Sequence, residues 1–169
     1  MSTILGIDPG SRVTGYGLLN VAGGQTHYIA SGCINLSAGL SMADRLQHLF
    51  ESLQHLIAEY QPHCTAIEQV FVGKNASSAL KLGQARGVAL LAASLAALPV
   101  FEYAPRAIKQ SVAGTGAADK AQVQSMVVRL LKLNGTPASD AADALAVALC
   151  HAHSMRFQRA VAPVMQVNS

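Results

Sequence analysis

The chain has 169 residues, of which 51% are hydrophobic and only 12% are charged, and this predicts one domain with a sizeable core. Its net charge of +3 is compatible with a polyanionic partner and equally with ordinary solubility. Three widely spaced cysteines without a CxxC pair predict free thiols in a reducing compartment and argue against zinc. The apolar run 88–98 is bounded by Arg86 and Pro99, which excludes a membrane span there, and the N-terminus leads directly into a strand, so we expect a cytoplasmic protein without a signal peptide.

Three strands are predicted at the N-terminus, because short apolar segments alternate there with turns that contain PG and GG. These strands cover residues 3–8, 14–20 and 26–36. We expect an antiparallel meander with the first strand at the centre of the sheet. A helix over 41–60 follows, with apolar residues at helical spacing and Ser41 as its N-cap.

The rest of the chain alternates strands and helices. We predict strands over 64–72 and 99–103, and helices over 75–98, 106–112, 119–133 and 139–153. A flexible glycine-rich joint, AGTGA, separates two of these helices. This order predicts an α/β fold, a mixed five-stranded sheet with three antiparallel and then parallel strands and with helices on both faces. Residues 1–154 form one predicted domain, and residues 155–169 form a C-terminal tail that we expect to be flexible.

Four of the nine acidic residues lie in apolar surroundings, where an ionised carboxylate is costly without a partner. Asp8 ends the first strand, Glu68 lies within the strand TAIEQVF, and Asp140 and Asp143 begin the last helix. Residues three apart on a helix share a face, so the last two carboxylates are expected close together. Each acid also has an ordinary explanation, namely an Asx turn, a solvent-facing strand edge, or a helix N-terminus with Ser139 as N-cap.

A converging set of four carboxylates cannot stay fully ionised without a cation. Mg²⁺ prefers carboxylate oxygens, and two ions about 3.5–4 Å apart can promote attack of water on a phosphodiester and stabilise the leaving oxygen. The set therefore predicts catalytic metal ligands for two Mg²⁺ ions per site, with Mn²⁺ able to substitute. In this arrangement Asp8, at the sheet centre, bridges the two ions.

Basic and aromatic side chains follow the predicted strand that carries Glu68. Phe71, Lys74, Lys81 and Arg86 lie within sixteen residues, and an exposed aromatic ring beside cations suits base stacking and phosphate contact. The alternative is that Phe71 is a core residue and the cations form a solvated helix face. We assign these four residues to DNA binding as a hypothesis.

A second basic group flanks the AGTGA joint. Arg106, Lys109 and Lys120 lie there, and a phosphate-facing surface is plausible for them too. We assign Arg106 to DNA binding. The two lysines are assigned to catalysis, because an ammonium group near the acids can offset developing negative charge.

Four segments together resemble the RuvC family of crossover junction endodeoxyribonucleases. In chain order they are GIDPGSRVTGYG, IEQVF, KNASSALKLGQARG and SDAADALAVA. The first segment alone is weak, because actin-like kinases and chaperones have a similar opening, but the four in this order are highly specific. The likeness extends from about residue 3 to residue 153, and the tail departs most from the family pattern.

The resemblance implies an RNase H-like fold and a homodimer that resolves four-way (Holliday) DNA junctions by symmetric paired nicks, in recombination and DNA repair. It also implies the RuvA–RuvB branch-migration complex as a partner. The family's functional positions fall on catalytic acids, a junction-stacking aromatic residue and two lysines, which are Asp8, Glu68, Asp140, Asp143, Phe71, Lys109 and Lys120. The long helix 75–98 is a candidate dimer face, and its alternative is simple burial against the sheet.

Two other classes of protein compete with a junction endonuclease. A structure-specific DNA-binding module shares the basic surface but needs no acidic cluster. An actin-like ATPase is suggested by the opening segment, yet such proteins usually need two duplicated halves, and this chain is short for that.

Overall fold

The computed structural model describes residues 1–70 and 75–165. Its strands are β1 (Ser2–Asp8), β2 (Val13–Ala22), β3 (Gln25–Asn35), β4 (Cys64–Glu68) and β5 (Val100–Tyr103). Its helices are α1 (Met42–Tyr60), α2 (Ala76–Leu95), α3 (Pro105–Ala113), α4 (Lys120–Leu131) and α5 (Ser139–Met165). None of the helices in these ranges is long and apolar enough to span a membrane.

The five strands form one mixed sheet in the order β3-β2-β1-β4-β5, which confirms the predicted fold class and the central place of β1. The pairs β1–β2 and β2–β3 are antiparallel, whereas β1–β4 and β4–β5 are parallel. The carboxyl ends of β1, β4 and β5 therefore lie at the same edge of the sheet. That edge is where the strand-borne acids emerge.

Two hydrophobic clusters cover the two faces of the sheet, because strand side chains alternate between them. Leu5, Ile7 and Ile67 pack with α1 and α2 on one face. Ile4 and Ala66 pack with α3, α4 and α5 on the other. Asp8 follows the alternation of Ile4, so its side chain lies on the face that α5 covers.

Several predicted boundaries were wrong. β4 ends at Glu68 rather than at residue 72, because its neighbours β1 and β5 end at the same level; the amide of Gln69 donates one last bond to the carbonyl of Tyr103, at 2.8 Å. Glu68 is thus a strand-end residue. Ser139 is the first residue of α5 rather than its N-cap, since the amide of Ala142 donates to the carbonyl of Ala138.

The last helix is also longer than predicted. It continues to Met165 instead of ending at about residue 153, and no glycine or proline interrupts the sequence from 139 to 162. Arg156 holds the helix against the sheet, as its guanidinium donates to Oγ1 of Thr26 at 3.3 Å. The division into a domain over 1–154 and a flexible tail over 155–169 stays a prediction.

Glycines allow α5 to lie directly on the two central strands. Gly6 of β1 pairs with Gly17 of β2, and Gly15 lies on the same face two residues earlier. A Cβ at Gly15 would overlap the carbonyl oxygen of Asp140, and a Cβ at Gly6 would overlap that of Ala144. The missing side chains therefore set the height of α5 above the sheet.

We expect Gly15→Ala to displace the start of α5 and to lower the free energy of unfolding by about 1–3 kcal/mol, the usual cost of overpacking. Urea denaturation measures this change. Gly83→Ala is the matched control, since no described atom lies within 4 Å of a Cβ there and Gly83 lies inside α2. The control should be neutral or slightly stabilising. Equal stability of Gly15→Ala and the unmodified protein would contradict the close approach.

Candidate active site

Four carboxylates converge at the edge of the sheet where β1 and β4 end. Ile7 and Ile67 are partners in the parallel pair β1–β4, so Asp8 and Glu68 leave neighbouring strands side by side. Carboxylate oxygens of Asp8, Asp140 and Asp143 lie within 4.8 Å of one another, and Glu68 hydrogen-bonds Asp8. All four side chains are half-buried. The structure thus joins acids that are far apart along the chain.

The surroundings of Asp8 in this cluster favour its protonated form. Burial, followed by the negative charge of Glu68, raises the pKa of Asp8 from 3.8 to about 8, and the charges of Asp143 and Asp140 act in the same direction. Burial also raises the pKa of Glu68, although its hydrogen bond with Asp8 opposes this shift. The two raised pKa values and the hydrogen bond between the side chains favour one proton shared by Asp8 and Glu68.

Lys120 supplies a positive charge to the same cluster. Its Nζ lies 2.6 Å from Oδ2 of Asp143, and this hydrogen bond is the main cause that raises the pKa of Lys120. The Lys120 side chain is 61% exposed and that of Asp143 only 25% exposed, so the lysine reaches inward from α4. The ammonium group therefore forms an ion pair with one of the carboxylates that could hold a metal ion.

Lys109 and the neighbouring Gln110 lie near the acids, beside the AGTGA joint. The charge of Lys109 lowers the pKa of Glu68, which places the lysine within electrostatic reach of the acids. The side chain of Gln110 bridges the AGTGA joint, donating to the carbonyl of Gly114 at 2.7 Å and accepting from the amide of Gly116 at 3.0 Å. The joint is therefore hydrogen-bonded between the two helices that carry the lysines.

The structure gives different surroundings to the residues predicted to bind DNA. Lys81 and Arg106 are exposed. Arg86 forms an ion pair with Glu102 that links α2 to β5, and its guanidinium is mostly buried, so its assignment to DNA binding stays a prediction without support from this contact. Phe71 and Lys74 lie outside the described residues.

Sequence reasoning missed the positioning residues of the site. Gly6, Gly15 and Gly17 bring α5 close enough for its aspartates to meet Asp8, and Gln110 ties the joint beside the lysines. The signal for the glycines was present, because glycines at i and i+2 within a predicted strand often mark close approach of another backbone. Gln110 carried no comparable signal.

The three cysteines are free, as predicted. Cys64 and Cys150 are buried, whereas Cys33 is only partly buried. Cys33 lies on β3 opposite Gly15, near the start of α5.

The donors of this site fit a hard divalent cation. Carboxylate oxygens are the ligands that Mg²⁺ and Mn²⁺ prefer, and three of the four carboxylates already lie within bonding range of one centre. Burial, followed by the charge of the neighbouring acids, raises the pKa of Asp8, and a bound cation would favour the ionised carboxylate. The cluster of Asp8, Asp140 and Asp143 could therefore hold a metal ion, with Glu68 beside it.

Known proteins resemble this chain both in sequence and in fold. The model of the family described as crossover junction endodeoxyribonuclease RuvC matches residues 4–151. A protein of that description from Photobacterium profundum is 60% identical over 154 residues, which cover 91% of this chain and 88% of the relative. One from Vibrio cholerae is 57% identical over 162 residues, covering 96% and 93%.

Solved structures agree with these relatives. RuvC of Thermus thermophilus in complex with a Holliday junction substrate superposes with a TM-score of 0.87 at 32% identity, covering 93% of this chain and 96% of that one. The yeast mitochondrial Holliday junction resolvase Ydc2 has a TM-score of 0.66 at 16% identity, a likeness of fold alone.

The sheet order and the acidic cluster at the ends of β1 and β4 define an RNase H-like nuclease. The match over most of the chain then identifies the family within that class. The chain belongs to the RuvC family of crossover junction endodeoxyribonucleases.

We expect Lys120→Met to bind Mn²⁺ more tightly, because the variant removes an ammonium group that competes for Asp143. The pair is partly exposed, so the dissociation constant should fall roughly 2- to 5-fold. Isothermal titration calorimetry without DNA measures it. Lys81→Met removes an equal charge from an exposed position on α2 and should leave the affinity unchanged. Weaker binding by Lys120→Met would show that the lysine does not compete with the ion.

The proton on Asp8 predicts how stability depends on pH in metal-free protein. The unfolded chain loses this proton near pH 3.8 and the folded protein near pH 8, so the free energy of unfolding falls as pH rises through that window. Burial lowers the pKa values of His151 and His153, so these residues contribute stability that is lost as pH falls. A variant at Asp8 keeps both histidines, so their contribution is the same in the two proteins.

Asp8→Asn should therefore lose less stability than the unmodified protein between about pH 5 and about pH 8. Thermal unfolding in the presence of EDTA measures both proteins. Parallel pH profiles of the two would rule out a shared proton in the cluster.

Proposed function

We propose that this protein resolves four-way DNA junctions by hydrolysing one phosphodiester bond in each of two strands. The observation that carries the proposal is the convergence of Asp8, Glu68, Asp140 and Asp143 at one edge of the sheet. The T. thermophilus relative in complex with a Holliday junction substrate supports the choice of DNA substrate. Recombination and DNA repair are the processes in which such junctions are resolved.

The bond that breaks is the one between phosphorus and the 3′-oxygen. The oxygen of a water molecule bonds to phosphorus opposite that oxygen, which takes up a proton, so the products carry a 5′-phosphate and a 3′-hydroxyl group and can be religated. Two Mg²⁺ ions, for which Mn²⁺ can substitute, are the proposed cofactors; when bound, they activate the water and stabilise the leaving oxygen.

The protein's own groups prepare the site for this reaction. Asp8, at the sheet centre, and Glu68 beside it would hold metal from the strand ends, and a bound cation would favour the ionised form of Asp8. Asp140 and Asp143 hold the opposite side from α5. Lys109 and Lys120 are proposed to offset the negative charge that develops on the phosphate.

A homodimer is the proposed working form, because paired incisions need two sites at a fixed separation. The exposed face of α2 supports this proposal. Ala85 and Ala89 bury one side of the helix in the core, whereas Leu80, Leu91 and Leu95 on the other side are 66%, 51% and 64% exposed. Helix α2 thus combines burial against the core with an apolar face that a second copy would cover. The RuvA–RuvB complex as a partner and a cytoplasmic location complete the proposal.

The proposal is tested with Asp8→Asn on a synthetic four-way junction. The variant should bind the junction as the unmodified protein does, because the substitution leaves the basic side chains of the surface unchanged. It should cut roughly 100-fold or more slowly in Mg²⁺. Gel shift and cleavage of end-labelled strands measure the two properties. Asp44→Asn, at the start of α1 and away from the cluster, is the matched control.

Two outcomes would overturn the assignment. Undiminished cutting by Asp8→Asn would show that the carboxylate cluster does not take part in the reaction. Unmodified protein that binds junctions but never nicks them in Mg²⁺ or Mn²⁺ would instead be a binding module.

A further inference from the structure

A cavity of about 180 Å³ opens directly beside the carboxylate cluster, between α3, α4 and α5. Its rim is charged and carries Glu68, Asp143, Lys109 and Lys120. Two of these residues belong to the proposed metal ligands, so the cavity is continuous with the catalytic centre. The lysines give its mouth an attraction for a phosphate group.

The floor of the cavity is apolar. Ile108, Val123 and Val147, from three different helices, line it and are 5%, 4% and 1% exposed. These side chains belong to the hydrophobic core that packs α3, α4 and α5 against the sheet. The floor is therefore a fixed part of the fold, and metal binding alone gives no reason for an apolar surface at this place.

The size of the cavity restricts its occupant. An apolar cavity of about 150 Å³ in another protein admits benzene. A volume of about 180 Å³ therefore fits one five- or six-membered ring, whereas a two-ring group would protrude. The occupant that matches both parts of the cavity carries one ring on the apolar floor and an anion at the rim.

We propose that this cavity receives one ring of the nucleotide that flanks the scissile phosphate. The inference rests on the proposed junction-cutting function and adds a nucleoside subsite to it. The phosphate lies over the carboxylate cluster, and the adjoining base or deoxyribose enters between Ile108 and Val123. A nucleotide at the crossover of a junction has lost part of its stacking, so withdrawing it from the helix costs less than in continuous duplex.

Methyl NMR of the inactive Asp8→Asn protein tests the contact directly. Addition of an intact four-way junction should shift the methyl signals of Ile108, Val123 and Val147, and leave that of Ile29, on the distant edge strand β3, unchanged. Junctions with an abasic site on either side of the scissile phosphate distinguish the two rings: loss of the shifts assigns the base, and their persistence assigns the deoxyribose. Junction binding without any shift at the three floor residues would overturn the proposal.

A substitution that fills the cavity gives an independent test. Val123→Ile adds one methylene to the floor and should slow cutting about tenfold, as a single methylene does in other apolar pockets, without changing junction affinity or Mn²⁺ affinity. Ser125→Ile, on the exposed side of the same helix, is the control and should cut normally. Val123→Ala, which enlarges the cavity, guards against a folding defect in the larger variant and should also alter the rate.

Cutting at the normal rate by both Val123 variants would show that no ring enters the cavity, while junction cleavage itself would stand. Failure of the unmodified protein to cut junctions would instead remove the proposed function.

Discussion

The close contact between α5 and the two central strands is the constraint on which the active site depends. Two of the four acids lie on that helix and two on strand ends, so the groups meet only if helix and sheet approach more closely than ordinary side chains allow. Gly6 and Gly15 permit this approach, because a Cβ on either would collide with backbone carbonyl oxygens of α5. The glycines carry no chemistry of their own, yet the geometry of the carboxylate cluster follows from them.

Bringing four carboxylates together creates a repulsion that the folded protein must relieve without a metal ion. Two features of the site do so. The raised pKa of Asp8 favours a proton shared with Glu68, and Asp143 pairs with the ammonium of Lys120. The metal-free cluster thus has part of its repulsion relieved by groups of the protein itself.

The sequence was sufficient to predict the sheet, because strand and helix periods differ and the order of elements restricts the topology. It also identified the four acids, since charges are rare in this chain and stand out in apolar segments. The end of β4, the length of α5 and the pairing of Arg86 with Glu102 were not predictable in this way. Each depends on where a neighbouring element ends or which partner packs against it, and such information exists only in the folded chain.

The sheet also separates the catalytic centre from the proposed dimer face, and the proposed function needs both. α3, α4 and α5 cover the face that carries the acids, whereas α1 and α2 cover the opposite face, where the apolar side of α2 is exposed. In a dimer formed through α2, each catalytic centre is joined to the two-fold axis through packed helices and β-strands rather than through loops. The separation of the two centres would then be set by rigid elements, as paired cuts at symmetric positions by the proposed dimer require.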